Sequence, residues 1–333
     1  MAPTIFRSSD ASAPALNGNA GSLVNVLDGC LVSGYGSLTA LGWAKSFSAT
    51  NKAVYRAPAG VRHYLDVDDS GPDATALGRN ARCRGYETMS AVATGTGPFP
   101  TTAQVTTCVG VVKSTTADAT SRPWILIGDD RTFYFFCTVA GTTPPNLATN
   151  VWNSGFHFGE IYSFLAGDLY RTMLGFASIT STQAASTGIA GLLGPQFMST
   201  TTAVNANMPR SYTGTGGSVW VASVYNFFMT NAAGTTEGSK GVMAYPNPVD
   251  SGLYANAINV AERGNGASAA ASTNFRGRLR GIYQQAHLTS AFADQDTFTG
   301  TGDFAGKTFI LINHVATTNS TLAIETTSWA ASS

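Results

Sequence analysis

Charge is what this chain has least of. Lys, Arg, Asp and Glu make up 11% of its 333 residues, and 19 basic and 19 acidic side chains cancel to a formal net charge of zero. So neutral a surface has little field with which to gather nucleic acid or anionic lipid, which argues against nonspecific polyanion binding. It also gives weak repulsion between copies, as suits a subunit packed against neighbours. Cysteine is scarce too. Cys30, Cys83, Cys108 and Cys137 form no C-x-x-C pair and stand at no metal-ligand spacing to the four histidines. They read as free thiols of a chain that folds in a reducing compartment. No run of about 18 apolar residues occurs and no basic-then-apolar leader opens the sequence, which argues against a membrane span and a signal peptide.

Turn formers are abundant instead, with 36 Gly and 13 Pro. The strongest local pattern is Arg122 to Cys137, which predicts a β-hairpin: Trp124 to Ile127, the turn residues Gly128-Asp129-Asp130-Arg131, then Phe133 to Cys137. Both arms are apolar at successive positions, so the pattern predicts a sheet covered on both faces and the centre of a core. Leu23, Val26, Leu27, Cys30 and Leu31 recur at helical spacing and predict one helix over about residues 22–32, with Ser22 as N-cap and Gly34 as a stop.

Elsewhere short strand-like runs alternate with turns. The pattern predicts a mainly β protein, a β-sandwich or barrel-like body with that single N-terminal helix and long loops. Residues 1–21, carrying only Ile5 and Phe6 as large apolar side chains, read as an extended arm, frayed or laid over a neighbour. Residues 22–178 read as a β-rich domain and 179–333 as a second β-rich region, continuous with the first or not. Thr94 to Pro100 is read as a break, too rich in Gly and Pro to lie inside an element.

No catalytic signature emerges, and the chain is expected to be neither an enzyme nor a cofactor carrier. Asp66, Asp68 and Ser70 open like a calcium loop, but Leu77 stands where a bidentate Glu belongs and Pro72 interrupts, so a capped turn after a strand explains them better. Asp129 and Asp130 fit a hairpin tip. The histidines, His157 among them, fit hydrogen-bonded structural roles. Arg276, Arg278 and Arg280 would share one face of a strand as a subunit contact or solvated face, and with Ile5 and Phe6 they are the candidate interaction residues. Trp152 and Tyr245, if exposed, offer stacking surfaces for sugar.

Two stretches carry a resemblance. The first runs through Phe6-Arg7-Ser8-Ser9-Asp10, Leu27-Asp28-Gly29-Cys30, Asn51-Lys52-Ala53-Val54-Tyr55-Arg56, Tyr64-Leu65-Asp66-Val67 and Gly95-Thr96-Gly97-Pro98-Phe99-Pro100. The second is Leu279-Arg280-Gly281-Ile282-Tyr283 with Glu325 to Trp329. Together they resemble a group of virion structural proteins of tailed bacteriophages and prophages. Residues Thr180 to Arg276 depart from that pattern. The resemblance implies a particle component assembled in several copies in the host cytoplasm with other virion proteins as partners, on tail or head alike; the tail or baseplate is the expected place. A head-surface decoration protein is the alternative, and a host-glycan binding module the alternative of another class.

Overall fold

The computed structural model describes residues 2–75, 78–103, 109–143, 152, 154–176, 206–216, 220–225, 244–263, 274–285, 287, 293–315 and 320–330. Strand β1 (Thr4–Arg7) precedes helix α1 (Ser22–Leu27), which continues as a π-helical segment over Asp28–Ser33. A six-stranded antiparallel sheet follows. Its strands are β2 (Ala44–Ala49), β3 (Lys52–Arg56), β4 (Tyr64–Thr75), β5 (Gly78–Ala91), β6 (Thr94–Phe99) and β7 (Val109–Ser114).

Then come the expected hairpin, β8 (Trp124–Gly128) and β9 (Thr132–Cys137), and after it β10 (Ser154–Glu160), β11 (Tyr162–Ser163) and β12 (Thr172–Phe176). The later strands are β13 (Ala206–Asn207), β14 (Trp220–Tyr225), β15 (Ala255–Arg263) and β16 (Asn274–Gln285). Last are β17 (Thr297–Thr299), β18 (Thr308–Val315) and β19 (Ser320–Glu325). Strand β1 and strands β8 to β19 form one 13-stranded antiparallel sheet, ordered β1-β8-β9-β10-β12-β13-β14-β15-β16-β19-β18-β17 with β11 against β16. The chain is therefore mainly β with a sandwich-like body. The big sheet includes strands from both sides of residue 178.

The hairpin explains how two sheets become one body. Along β8, Trp124 and Leu126 enter one core while Ile125 and Ile127 enter another; along β9, Phe133, Phe135 and Cys137 alternate in the same way with Tyr134 and Phe136. The first core lies between this layer and the six-stranded sheet with its helix. The second is enclosed where the large sheet turns back on itself, bringing Ile258, Leu279, Ile310 and Ile324 opposite the hairpin. The Tyr134 hydroxyl donates across that core to the Arg280 carbonyl at 2.9 Å. Near the two sheet edges, Arg7 Nε donates to Gln295 Oε1 at 2.8 Å. Successive apolar residues thus alternate faithfully, but between two dry interiors.

The helix packs as its spacing predicts, with Leu23, Val26, Leu27, Cys30 and Leu31 all fully buried, and it ends at Gly34, whose φ of 75° suits glycine. Its cap differs. Ser22 is the first helical residue rather than the cap, and the Leu23 amide instead donates to Asp69 Oδ2 of β4 at 2.8 Å. A residue 46 positions away performs the capping, so no local pattern could announce it.

Three further expectations are corrected. Thr94–Phe99 is a strand: β6 pairs only with β5, and an edge position tolerates Gly95, Gly97 and Pro98 because one side of its backbone needs no partner. Asp66 to Asp73 is not a turn after a strand but part of β4, where the pairing register shifts between Asp68 and Asp73. The N-terminal arm is neither frayed nor free to lie over a neighbour. β1 covers the edge of β8 in register from Thr4–Gly128 to Arg7–Ile125; Phe6 is fully buried in the first core and Ile5 packs on the second. Much of Thr180 to Arg276, the stretch that departs from the resemblance, lies outside the described residues.

Phe135→Ala tests the hairpin's central position. Removing this fully buried ring is expected to cost about 3–5 kcal/mol, measured as a lowered midpoint in chemical denaturation with the slope unchanged.

Candidate interaction surface

Low charge makes every buried ion conspicuous. Arg276 and Arg280 are, with 1% side-chain exposure each, among the most deeply enclosed side chains of the protein. This corrects the expectation that Arg276, Arg278 and Arg280 form one solvated or intersubunit face. The pairing of β16 with β15 slips between Ala257 and Asn259, opposite Arg278 to Tyr283, and regular alternation ends there. Arg278 alone is half-buried, its guanidinium 4.8 Å from the centre of the Tyr162 ring.

Arg280 reaches the hairpin turn. Its Nη1 and Nη2 donate to Asp129 Oδ1 and Oδ2 at 3.0 and 2.7 Å, and its Nε donates to the Ala330 carbonyl at 3.0 Å. The hairpin tip was expected at Asp129, and a turn is there: Oδ1 also accepts the amides of Arg131 and Thr132, both at 2.9 Å. Asp129 is nonetheless buried beneath the closing C-terminal segment, whose Trp329 stacks edge-on to Tyr134 with ring centres 5.6 Å apart. Arg280 is a fastener.

Arg276 organises a surface instead. Its Nε and Nη2 donate to the two oxygens of Asp168 at 2.7 Å each, and Nη1 donates to Glu262 Oε2 at 2.6 Å. Asp168 also accepts the Ser163 hydroxyl at 2.7 Å and the Tyr170 amide at 3.0 Å. Glu262 accepts the Tyr212 amide at 2.9 Å. Burial would lift the Asp168 carboxyl, but the hydrogen bonds from Arg276 and Ser163 and the charge of Arg276 outweigh it and hold it below its ordinary value. This one buried ion cluster therefore pins four backbone segments side by side.

What those segments present to solvent is apolar. Phe164, whose amide donates to the Arg276 carbonyl at 2.9 Å, is 52% exposed; Leu165, Leu169, Tyr212 and Phe275, each next to a member of the cluster or bonded to one, are 36–64% exposed. Five of the seven exposed large apolar residues among those described converge on this rim. An exposed apolar rim held by an ion cluster is a candidate interaction surface. The arginine cluster was visible in sequence, and Ala166-Gly167-Asp168 carries turn chemistry. That the turn encloses Arg276 was not visible, because 108 residues separate Asp168 from Arg276.

The remaining candidates gather little chemistry. Asp68 Oδ1 accepts the Ser70 hydroxyl at 2.6 Å and Oδ2 pairs with Lys52 at 2.7 Å, while Asp66 is buried. Among the described residues no group of three or more His, Cys, Asp or Glu is arranged to hold a metal. Trp152 is corrected from an exposed sugar platform to a core residue, 1% exposed, donating to Asp294 at 3.0 Å. Tyr245 is half-buried and its hydroxyl donates to the Thr299 carbonyl. His63 and Thr172 face each other at 2.9 Å beside Glu160, a hydroxyl–imidazole arrangement. The small cleft they line has room for about one water.

His287 is hydrogen-bonded through both ring nitrogens, as expected of a structural histidine. His157 departs from that expectation: it is fully buried, stacked on Tyr134, and neither nitrogen has a partner. Cys30, Cys83 and Cys137 are buried thiols, and Cys108 lies outside the described residues. No family model and no curated protein matches the chain. What the fold defines is a class: a mainly antiparallel β protein with a sandwich-like body.

Two predictions follow from the buried ions and rings. Arg280→Met leaves the Asp129 carboxylate enclosed and unpaired, which is expected to cost about 3–5 kcal/mol in equilibrium unfolding. Acid should also destabilise the fold. Burial pushes His63 down to about 4, and burial with the nearby Arg280 charge pushes His157 down to about 3. Below pH 6.5 the unfolded chain takes up two protons that the folded one refuses, so their stability is complete above that pH and lost towards pH 4 and 3. Asp66, raised by burial and by Asp68 to about 6, protonates first in the folded state and offsets one of the two down to about pH 4. Unfolding measured from pH 7 to 4 should show the loss, and His157→Phe should reduce its slope by up to about 1.4 kcal/mol per pH unit.

Proposed function

We propose that the chain is a structural subunit of a tailed-phage particle, at the tail or baseplate, and that it acts by burying surface against other virion proteins and copies of itself rather than by catalysis. The observation that carries this reading is the apolar rim of Phe164, Leu165, Leu169, Tyr212 and Phe275, held in place by the Arg276 ion cluster. A chain with so few charges keeps a rigid exposed apolar rim at the expense of its own solubility, and an obligate neighbour resolves that conflict. The resemblance of the two terminal stretches to virion structural proteins names the setting, and near-zero net charge suits dense packing of copies. Recognition of host glycan has less support, since Trp152 is in the core.

The test uses particles of the phage or prophage whose genome encodes the chain. The protein should be found in purified particles, with density on the tail or baseplate and the rim against a neighbour. The double variant Phe164→Asp with Leu169→Asp should keep the wild-type circular dichroism and melting temperature, yet enter particles at least about 30-fold less well, the loss of a contact worth about 2 kcal/mol. Absence of the wild-type protein from particles would refute the reading. Density on the head surface would make it a decoration protein instead.

A further inference from the structure

Where helix α1 meets the six-stranded sheet, Asp69 of β4 confronts Lys113 of β7. Their side chains are 0% and 2% exposed, and Nζ stands 2.5 Å from Oδ1. Nζ is the sole polar neighbour of Oδ1 among the described groups. Nζ directs its hydrogen bonds elsewhere, to the Asn19 carbonyl at 2.5 Å and the Ser22 hydroxyl at 3.0 Å. The other carboxyl oxygen, Oδ2, accepts the Leu23 amide at 2.8 Å, and the Val24 amide also bonds to this carboxylate. Leu23, Val24, Val67, Val111 and Val112 belong to the apolar core around the pair.

We propose that Asp69 and Lys113 condense into an intramolecular isopeptide bond that ties β4 to β7 across β5. The reacting forms are the neutral amine and the carboxylic acid, and the site favours both. Burial lifts the Asp69 carboxyl above its ordinary value and lowers the Lys113 amine below its own, each against the pull of the partner's charge. The Nζ lone pair adds to Cγ, a C–N bond forms, and the carbonyl π electrons move onto Oδ2. There the Leu23 and Val24 amides hold the oxyanion. A proton leaves nitrogen for Oδ1, with the Ser22 hydroxyl beside Nζ as relay. The carbonyl then re-forms, the Cγ–Oδ1 bond breaks and one water departs. Acid and amine become amide and water, with no oxidant or reductant. Fixing both groups in contact within a dry core supplies the effective concentration that a free amine and acid lack in water.

The bond would brace the strand arrangement that positions the helix, since Asp69 already caps α1 and Lys113 already holds Asn19 and Ser22. Intact-mass spectrometry of the full chain, folded and then denatured, decides the matter. The expected result is a mass one water below that of the sequence, together with a branched tryptic peptide joining the segments around Asp69 and Lys113 and no cleavage after Lys113. Lys113→Met, read under the same denaturing conditions whether or not it folds well, should have its full sequence mass. A wild-type chain at full sequence mass that is cleaved after Lys113, from a preparation whose circular dichroism shows folded β structure, would overturn the proposal and leave a buried ion pair.

Discussion

The constraint on which the structure depends is that the layer built from β8, β9 and β10 must be dry on both faces. An antiparallel hairpin exposed on one side needs only every second residue apolar; this one has a core on each side, so Trp124 to Ile127 and Phe133 to Cys137 contain no polar side chain that reaches solvent. The six-stranded sheet and helix are there to close one face, and the return of the large sheet closes the other. β1 belongs to the same design. Ile5 and Phe6 divide between the two cores as the hairpin residues do, while their backbone satisfies the edge of β8.

Against that background the buried charges act as registration devices. Arg280 joins the hairpin turn to β16 over 151 positions, and Arg276 joins the 163–170 turn to β15 and β16. Ion pairs this deep contribute less net stability than their distances suggest, because both partners lose their hydration. Their value lies in what they forbid. A strand slipped by one residue would leave a guanidinium or carboxylate unpaired in apolar surroundings, so the pairs penalise misregister more than they reward the native state.

The surface chemistry follows from the same economy of charge. The chain has only 19 basic side chains over 333 residues, five of the described ones are buried (Arg84, Lys113, Arg122, Arg276 and Arg280), and the segments pinned around Arg276 turn aromatic and aliphatic groups outward. Rigidity matters here. A rim whose backbone is held by an ion cluster would lose little further freedom if a partner covered it, so a contact there would carry a small ordering cost.

The sequence by itself determined the β class, the hairpin with its two covered faces, the helix with its buried stripe, and the places where the chain turns. These depend on periodicity and turn chemistry within a few residues, where side-chain alternation is a direct consequence of backbone geometry. It also singled out Arg276 and Arg280, though with the wrong environment. Only the tertiary structure decided that Asp129, at the hairpin tip, is buried, that Asp69 caps the helix in place of Ser22, that Trp152 lies in the core and that Pro98 sits in an edge strand. Each of these depends on a partner tens to hundreds of residues distant. Whether a charge or a ring meets water or a counterpart is settled by which strands become neighbours, and neighbourhood is a property of the assembled sheets rather than of any window of the chain.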